Sequence, residues 1–132
     1  MMIEAPPERQ SPHQAREKRM HEMALTESIV EIAVEAARQQ GALRVTRVFV
    51  EVGALSCVEP EAMQFCFSAV AAGTLAEGAA LEIERIPGAG WCADCDKPVP
   101  LADRFGLCPD CGGLSVRMTA GDELRVREME IA

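Results

Sequence analysis

The sequence has no tyrosine, one tryptophan and four phenylalanines among its 132 residues. So little aromatic surface leaves few faces on which the bases of a nucleic acid strand can stack. Basic charge is scarce too: 13 Lys and Arg stand against 21 Asp and Glu, a formal net charge of −8. Arg9, Arg16, Lys18 and Arg19 lie in the first 19 residues beside Glu4, Glu8 and Glu17, so the remainder is more acidic still. The basic patch of a nucleic-acid binder is missing, and no nucleic acid is expected as a partner. No apolar run reaches the roughly 18 residues of a membrane span, so no membrane partner is expected either. The N-terminus lacks the apolar segment of a secretory leader, and its glutamates argue against a mitochondrial transit peptide. The expected location is the cytoplasm, where closely spaced cysteines favour metal over disulfides. No nucleophile–base pair, phosphate-cradling glycine loop or pair of catalytic carboxylates stands out. The chain therefore reads as a protein that is not an enzyme.

What the chain does contain is organised in blocks. Residues 1–19 hold Pro6, Pro7 and Pro12 with many long polar side chains, and are expected as a disordered extension. From His21 to Gln40 the pattern is helical, with Leu25, Ile29, Ile32 and Ala36 on one face and Glu27, Glu31, Glu35 and Arg38 on the other. Gly41 is its expected stop. Arg44–Val52 alternates as a strand, with β-branched Val48, Val50 and Val52 on one side. Glu59-Pro60-Glu61 opens a second helix, since proline and acidic groups suit a first turn. Met63, Cys66, Phe67 and Val70 follow at helical spacing, and Gly73 ends it. Leu81–Ile86 and Glu123–Ile131 read as two more strands, with Pro87–Gly90 as a linker between the first of them and a cysteine-rich insertion.

These elements predict an α+β fold: two helices packed on a three-stranded mixed sheet, with a small zinc-ribbon lobe inserted. The expected division is 20–87 with 120–132 as one domain and 88–119 as the other. Open strand edges would permit a homodimer.

Six cysteines are present, and four fall in the pattern Cys92-x2-Cys95-x12-Cys108-x2-Cys111. Four thiolates suit the tetrahedral, borderline-soft preference of Zn(II). Pro109 stiffens the second turn, and Gly112 can take positive φ just after its second sulfur. Asp96 holds the equivalent place in the first turn, and Asp tolerates that region better than most residues. With every position filled by protein, the ion is structural rather than catalytic. A redox dithiol and an iron–sulfur cluster are the alternatives for such a set. Lys97 and Arg104 are candidates to offset the −2 charge of a zinc tetrathiolate. Cys57 and Cys66 lack ligand spacing and are expected as small buried apolar groups.

His13 and His21 are the two histidines. His13 lies in the extension and is expected to be exposed. His21 stands in Met20-His21-Glu22-Met23-Ala24-Leu25, and this segment resembles the beginning of the HypA/HybF family. The likeness continues through Gly53-Ala54-Leu55-Ser56-Cys57-Val58-Glu59-Pro60-Glu61-Ala62, Phe65-Cys66-Phe67, Gly73-Thr74, Glu77-Gly78-Ala79, both cysteine pairs and Gly121-Asp122-Glu123-Leu124. It spans Met20 to the C-terminus; residues 1–19 lie outside it. The resemblance implies a nickel metallochaperone of hydrogenase maturation, with Ni(II) carried by His21, Met20 and Glu22 and zinc held by Cys92, Cys95, Cys108 and Cys111. It also implies two partners: a HypB-type GTPase and the large subunit of a [NiFe]-hydrogenase. In the family the motif begins the chain and its methionine offers an α-amine. Here Met20 follows 19 residues, and its nitrogen is an amide.

Overall fold

A computed structural model describes residues 1–5 and 18–132 apart from Phe105, and of residues 18–21 the backbone alone. The expectations for residues 6–17, His13 included, lie outside the described residues. The order of elements is β1 (Met2–Glu4), α1 (Lys18–Gln39), β2 (Val45–Gly53), α2 (Pro60–Ala71), β3 (Ala80–Ile86), β4 (Ala89–Cys92), β5 (Lys97–Pro100), β6 (Val116–Ala120) and β7 (Leu124–Ile131). The fold is α+β, with two helices, a mixed four-stranded sheet in the order β1-β7-β2-β3 and a three-stranded sheet in the order β5-β4-β6. No helix among the described residues is long and apolar enough to cross a membrane. The chain divides into two compact units, Met1–Val50 with Val58–Ile83 and Arg125–Ala132, and Glu51–Cys57 with Glu84–Leu124.

In the first unit, α1 packs against α2. The buried stripe of α1 runs through Leu25, Ile29, Val30, Ala33, Ala36 and Ala37, while Ile32 lies at its margin. Glu27, Glu31, Glu35 and Arg38 are exposed, as the helical period requires. Gly41, just past the helix, takes φ +68°. In α2 the buried residues are Met63, Phe67 and Ala71. Cys66 is half-buried and Cys57 exposed, against the expectation of buried groups for both. Position 66 is one step off the Met63–Phe67 line, and Cys57 sits at φ +63° in the turn that leaves β2. Val45, Val48 and Val50 of β2 are at most 1% exposed.

The sheet has one strand more than the sequence suggests. Met2–Glu4 pairs antiparallel with β7, Ile3 standing opposite Met129. Met1 N donates to Ile131 O (3.1 Å), Ile131 N to Met1 O (3.0 Å) and Ala5 N to Arg127 O (3.2 Å). Three residues carry no readable alternation. The strand exists because β7 presents an open row of backbone donors and acceptors, which is a non-local fact. Pro6 and Pro7 follow at once, and neither has an N–H with which to extend the ladder.

The second unit contains the three-stranded sheet, with β4 antiparallel to both β5 and β6. Pro87–Gly90 is not the free linker its composition suggests, because β4 already begins at Ala89. The glycines there serve close approach instead of flexibility. A Cβ on Gly88 would lie 2.4 Å from Leu101 O, and one on Gly53 would lie 2.0 Å from Gly121 O. Leu55 N donates to Gly121 O (2.6 Å) and Ala54 N to Ile86 O (2.8 Å), so segment 53–55 is threaded between its neighbours. The latter bond joins the C-terminal ends of β2 and β3, as expected for parallel strands connected through a helix.

Candidate metal centre

Cys92 ends β4, and Cys95 lies in the turn before β5. The turn between them is held by Cys95 N–H donating to Cys92 Sγ at 3.4 Å. Asp96, next in sequence, takes φ +54°. The second turn repeats the geometry: Gly112 N donates to Cys108 O (2.8 Å), and Gly112 takes φ +72°. Each positive φ falls on the residue after the second sulfur of a pair. It swings the chain aside so that both sulfurs point to one place, and Asp and Gly bear that conformation at least cost.

All four sulfurs lie within 4.8 Å of one another. Cys92 and Cys111 are 3.7 Å apart, Cys95 and Cys108 3.9 Å. A tetrahedron with metal–sulfur bonds of about 2.3 Å, the zinc value, has edges of about 3.8 Å. Two of the separations match that edge and none exceeds it by more than about 1 Å, so the donor set suits such an ion, and bound metal would supply the charge that lets four thiolates crowd together. Around them Val99 is buried and Val116 packs partly in; the core of this region consists largely of the ligands themselves.

Without metal the thiols of Cys95, Cys108 and Cys111 hold their protons unequally. Contact with Cys111 Sγ is the leading cause that pushes Cys95 up to about 12, helped by burial and the other two sulfurs. The backbone N–H of Cys111 is the leading cause that draws Cys108 down to about 7. Cys111 is raised on balance. The Gly113 N–H and contact with Cys95 favour its thiolate, but Cys108, burial and Cys92 together outweigh them.

Lys97 pairs with Asp110, joining the first turn to the second. Asp110, and more weakly the Cys95 and Cys108 sulfurs, raise the Lys97 ammonium above its usual value. Lys97 thus offsets negative charge at the cluster as its position suggests. Arg104 Nε donates to Leu55 O at 2.9 Å.

The residues expected at the other metal site are placed less completely. Met20 and His21 lie in the first turns of α1, and their side chains are outside the described residues. Because α1 begins at Lys18, Glu22 N–H belongs to its i→i−4 ladder. The Glu22 side chain is 9% exposed, and its Oε1 accepts from Glu59 N at 3.5 Å. Thr26 Oγ1 donates to Glu22 O at 2.5 Å. Glu59, which the sequence marks only as the opening of a helix, stands beside Glu22, and its own side chain caps nothing.

Comparison with known proteins adds a further finding. Residues 20–131 match the model of a family described as "Hydrogenase/urease nickel incorporation, metallochaperone, hypA". The hydrogenase maturation factor HypA of Rhizobium leguminosarum bv. viciae is 59% identical over 112 residues, which are 85% of this chain and 99% of the relative. That of Rhodopseudomonas palustris strain BisB5 is 60% identical over the same shares. A solution structure of a HypA protein is similar with a TM-score of 0.66 and 27% identity, covering 86% of this chain and 97% of the other. The solution structure of the Ni metallochaperone HypA from Helicobacter pylori shares the fold with a TM-score of 0.61 at 24% identity, over 83% and 96% of the two chains.

Proposed function

This chain belongs to the HypA family of hydrogenase-maturation metallochaperones, and from that membership we propose that it carries Ni(II) itself, and with a partner GTPase delivers it to the large subunit of a [NiFe]-hydrogenase. It binds, transfers and releases the ion and makes no covalent change to a substrate. The observation that carries the reading is the extent of the family match, from Met20 through the four-cysteine cluster to the last strand. In this reading Cys92, Cys95, Cys108 and Cys111 hold a structural zinc, and nickel is taken up by His21 with Met20 and Glu22. The part built from 20–87 and 120–132 then serves nickel, and 88–119 serves zinc. A reducing cytoplasm suits the thiolates.

The chemistry at the start of α1 follows from the helix. Ni(II) favours tetragonal or square-planar sites rich in nitrogen. Backbone amides at a helix start lack internal partners and can ligate once deprotonated. Glu22 N–H sits in the ladder as long as the helix starts at Lys18, so nickel uptake opens the first turn or acts on a chain that begins at Met20. In the latter case Met20 contributes an amine in place of an amide. Neutral His21 is required, so uptake weakens on acidification.

The test is transfer. Radiolabelled nickel loaded on the chain is mixed with the apo large subunit, the GTPase and GTP, and the label on the large subunit is counted. GTP-dependent transfer that disappears with His21→Ala supports the proposal; transfer no faster than from free nickel ions removes it.

A further inference from the structure

The four-cysteine cluster has a closed side and an open one. Cys92 and Cys108 are 0% and 2% exposed, Cys95 is half-buried and Cys111 is exposed. The two less buried cysteines come from different turns. One described ion pair spans the turns. It joins Lys97, two residues after Cys95, to Asp110, directly before Cys111. Both side chains are about half exposed, at 50% and 51%.

Resting on the reading of this cluster as a zinc site, we propose that metal exchange begins at Cys111 and that the Lys97–Asp110 pair is a clasp that sets its rate. With zinc held by the four cysteines, the Cys111 sulfur would be the first to be exchanged for a chelator donor atom, its thiolate taking a proton from solvent as it leaves; no oxidant or reductant is needed. Cys92 and Cys108 are the poorer leaving thiolates, because in the buried cluster water cannot solvate or protonate them, and Cys95 is more shielded than Cys111. Two effects make the clasp matter. Its ammonium stabilises the charged tetrathiolate against loss of a protonated thiol. Its ion pair also keeps the turn bearing Cys111 against the turn bearing Cys95. A half-exposed pair of this kind is screened by salt. The effect is therefore modest in size and specific in its salt response.

The experiment follows zinc release from the zinc-loaded full chain to 4-(2-pyridylazo)resorcinol by absorbance. Lys97→Met and Asp110→Asn are each expected to speed release about two- to fivefold, the range an exposed ion pair commands. The double variant should release no faster than either single one, and Lys97→Arg should restore the parent rate. Raising the salt from low to high concentration should speed the parent and leave Lys97→Met unchanged. A general loosening of the fold would produce neither the coupling nor the salt response. Brief iodoacetamide treatment with peptide mass mapping should label Cys111 before the other three ligands. Release rates equal to the parent in both single variants, additive effects in the double, or first labelling at Cys92, Cys95 or Cys108 would overturn the proposal. A purified chain that binds no zinc at all would remove the zinc reading itself, an outcome separate from zinc bound with unaltered release.

Discussion

The Glu22 carboxylate on α1 accepts the backbone N–H of Glu59 at the start of α2, with 3.5 Å between oxygen and nitrogen. Glu59 caps nothing with its own side chain, and Pro60 at the first helical position has no N–H to offer. The positive end of α2 thus draws its carboxylate from a different helix. One residue of the proposed nickel site is therefore also in contact with the start of α2.

Replacing Glu22 by alanine should cost about 1–2 kcal/mol, the worth of a lost cap with a favourable dipole contact. Glu22→Gln keeps the acceptor and loses the charge, so it should cost less. Urea denaturation of the zinc-loaded chain, followed by the helical signal, measures both. Equal stability of Glu22→Ala and the parent would mean that the contact contributes nothing.

The strand formed by Met2–Glu4 is held by its backbone. Ile3→Pro removes the donor at the centre of the pairing, opposite Met129. Hydrogen exchange should then quicken at Ile131 N–H, which donates to Met1 O. The N–H of Ala132, which donates to Arg44 O on the other flank, should stay as protected as before. Unaltered exchange at Ile131 would show that β1 is not formed in solution.

Zinc affinity should fall as pH falls. Binding converts thiols into thiolates, so bound metal lowers the pKa of each sulfur, and the stability it confers exists only above the lowered values. In the metal-free chain Cys95 keeps its proton up to about 12 and Cys111 is also raised, while Cys108 titrates near 7. Zinc thus displaces protons from Cys95 and Cys111 throughout the neutral range, and from Cys108 as well below about pH 7. The logarithm of affinity should rise by about two or more per pH unit above pH 7, and more steeply below it. Competition against a chelator of known pH dependence, at several pH values, gives the slope. A slope near zero would contradict coordination by these thiolates.

Stripping the zinc should unfold one sheet and spare the helices. The buried cluster around the ligands is Cys92, Val99 and Cys108, so without metal the end of the sheet that carries the cysteines loses most of its core, while Leu55 and Leu101 stay buried at the other end. The core residues Ile29, Met63 and Phe67 lie in the other compact unit. Amides of β4 and β6 should lose protection in EDTA, while those of α1 and α2 keep it. Loss of helical signal in step with zinc would contradict this independence.

How far the sequence foretold these features depends on how local each one is. The cysteine turns were readable because their geometry is set within six residues; Asp96 and Gly112 take the positive φ their chemistry suggests. The helices were readable from period and from Gly41 and Pro60 at their ends. Strand β1, the exposure of Cys57 and the commitment of Arg104 to Leu55 O were not. Each depends on a partner distant in sequence that composition cannot name. Gly88 shows the same limit in another form, since a glycine that permits flexibility and a glycine that permits contact read alike.

The proposed nickel site lies at the start of α1, with the imidazole of His21 as its anchor. Calorimetric titration of the zinc-loaded chain with Ni(II) at neutral pH tests it, alongside His21→Ala and the chain that begins at Met20. One nickel per chain is expected, with no nickel binding by His21→Ala while zinc stays in place, and tighter binding when Met20 bears a free amine. A parent chain that takes up no nickel, or His21→Ala with undiminished affinity, would contradict it.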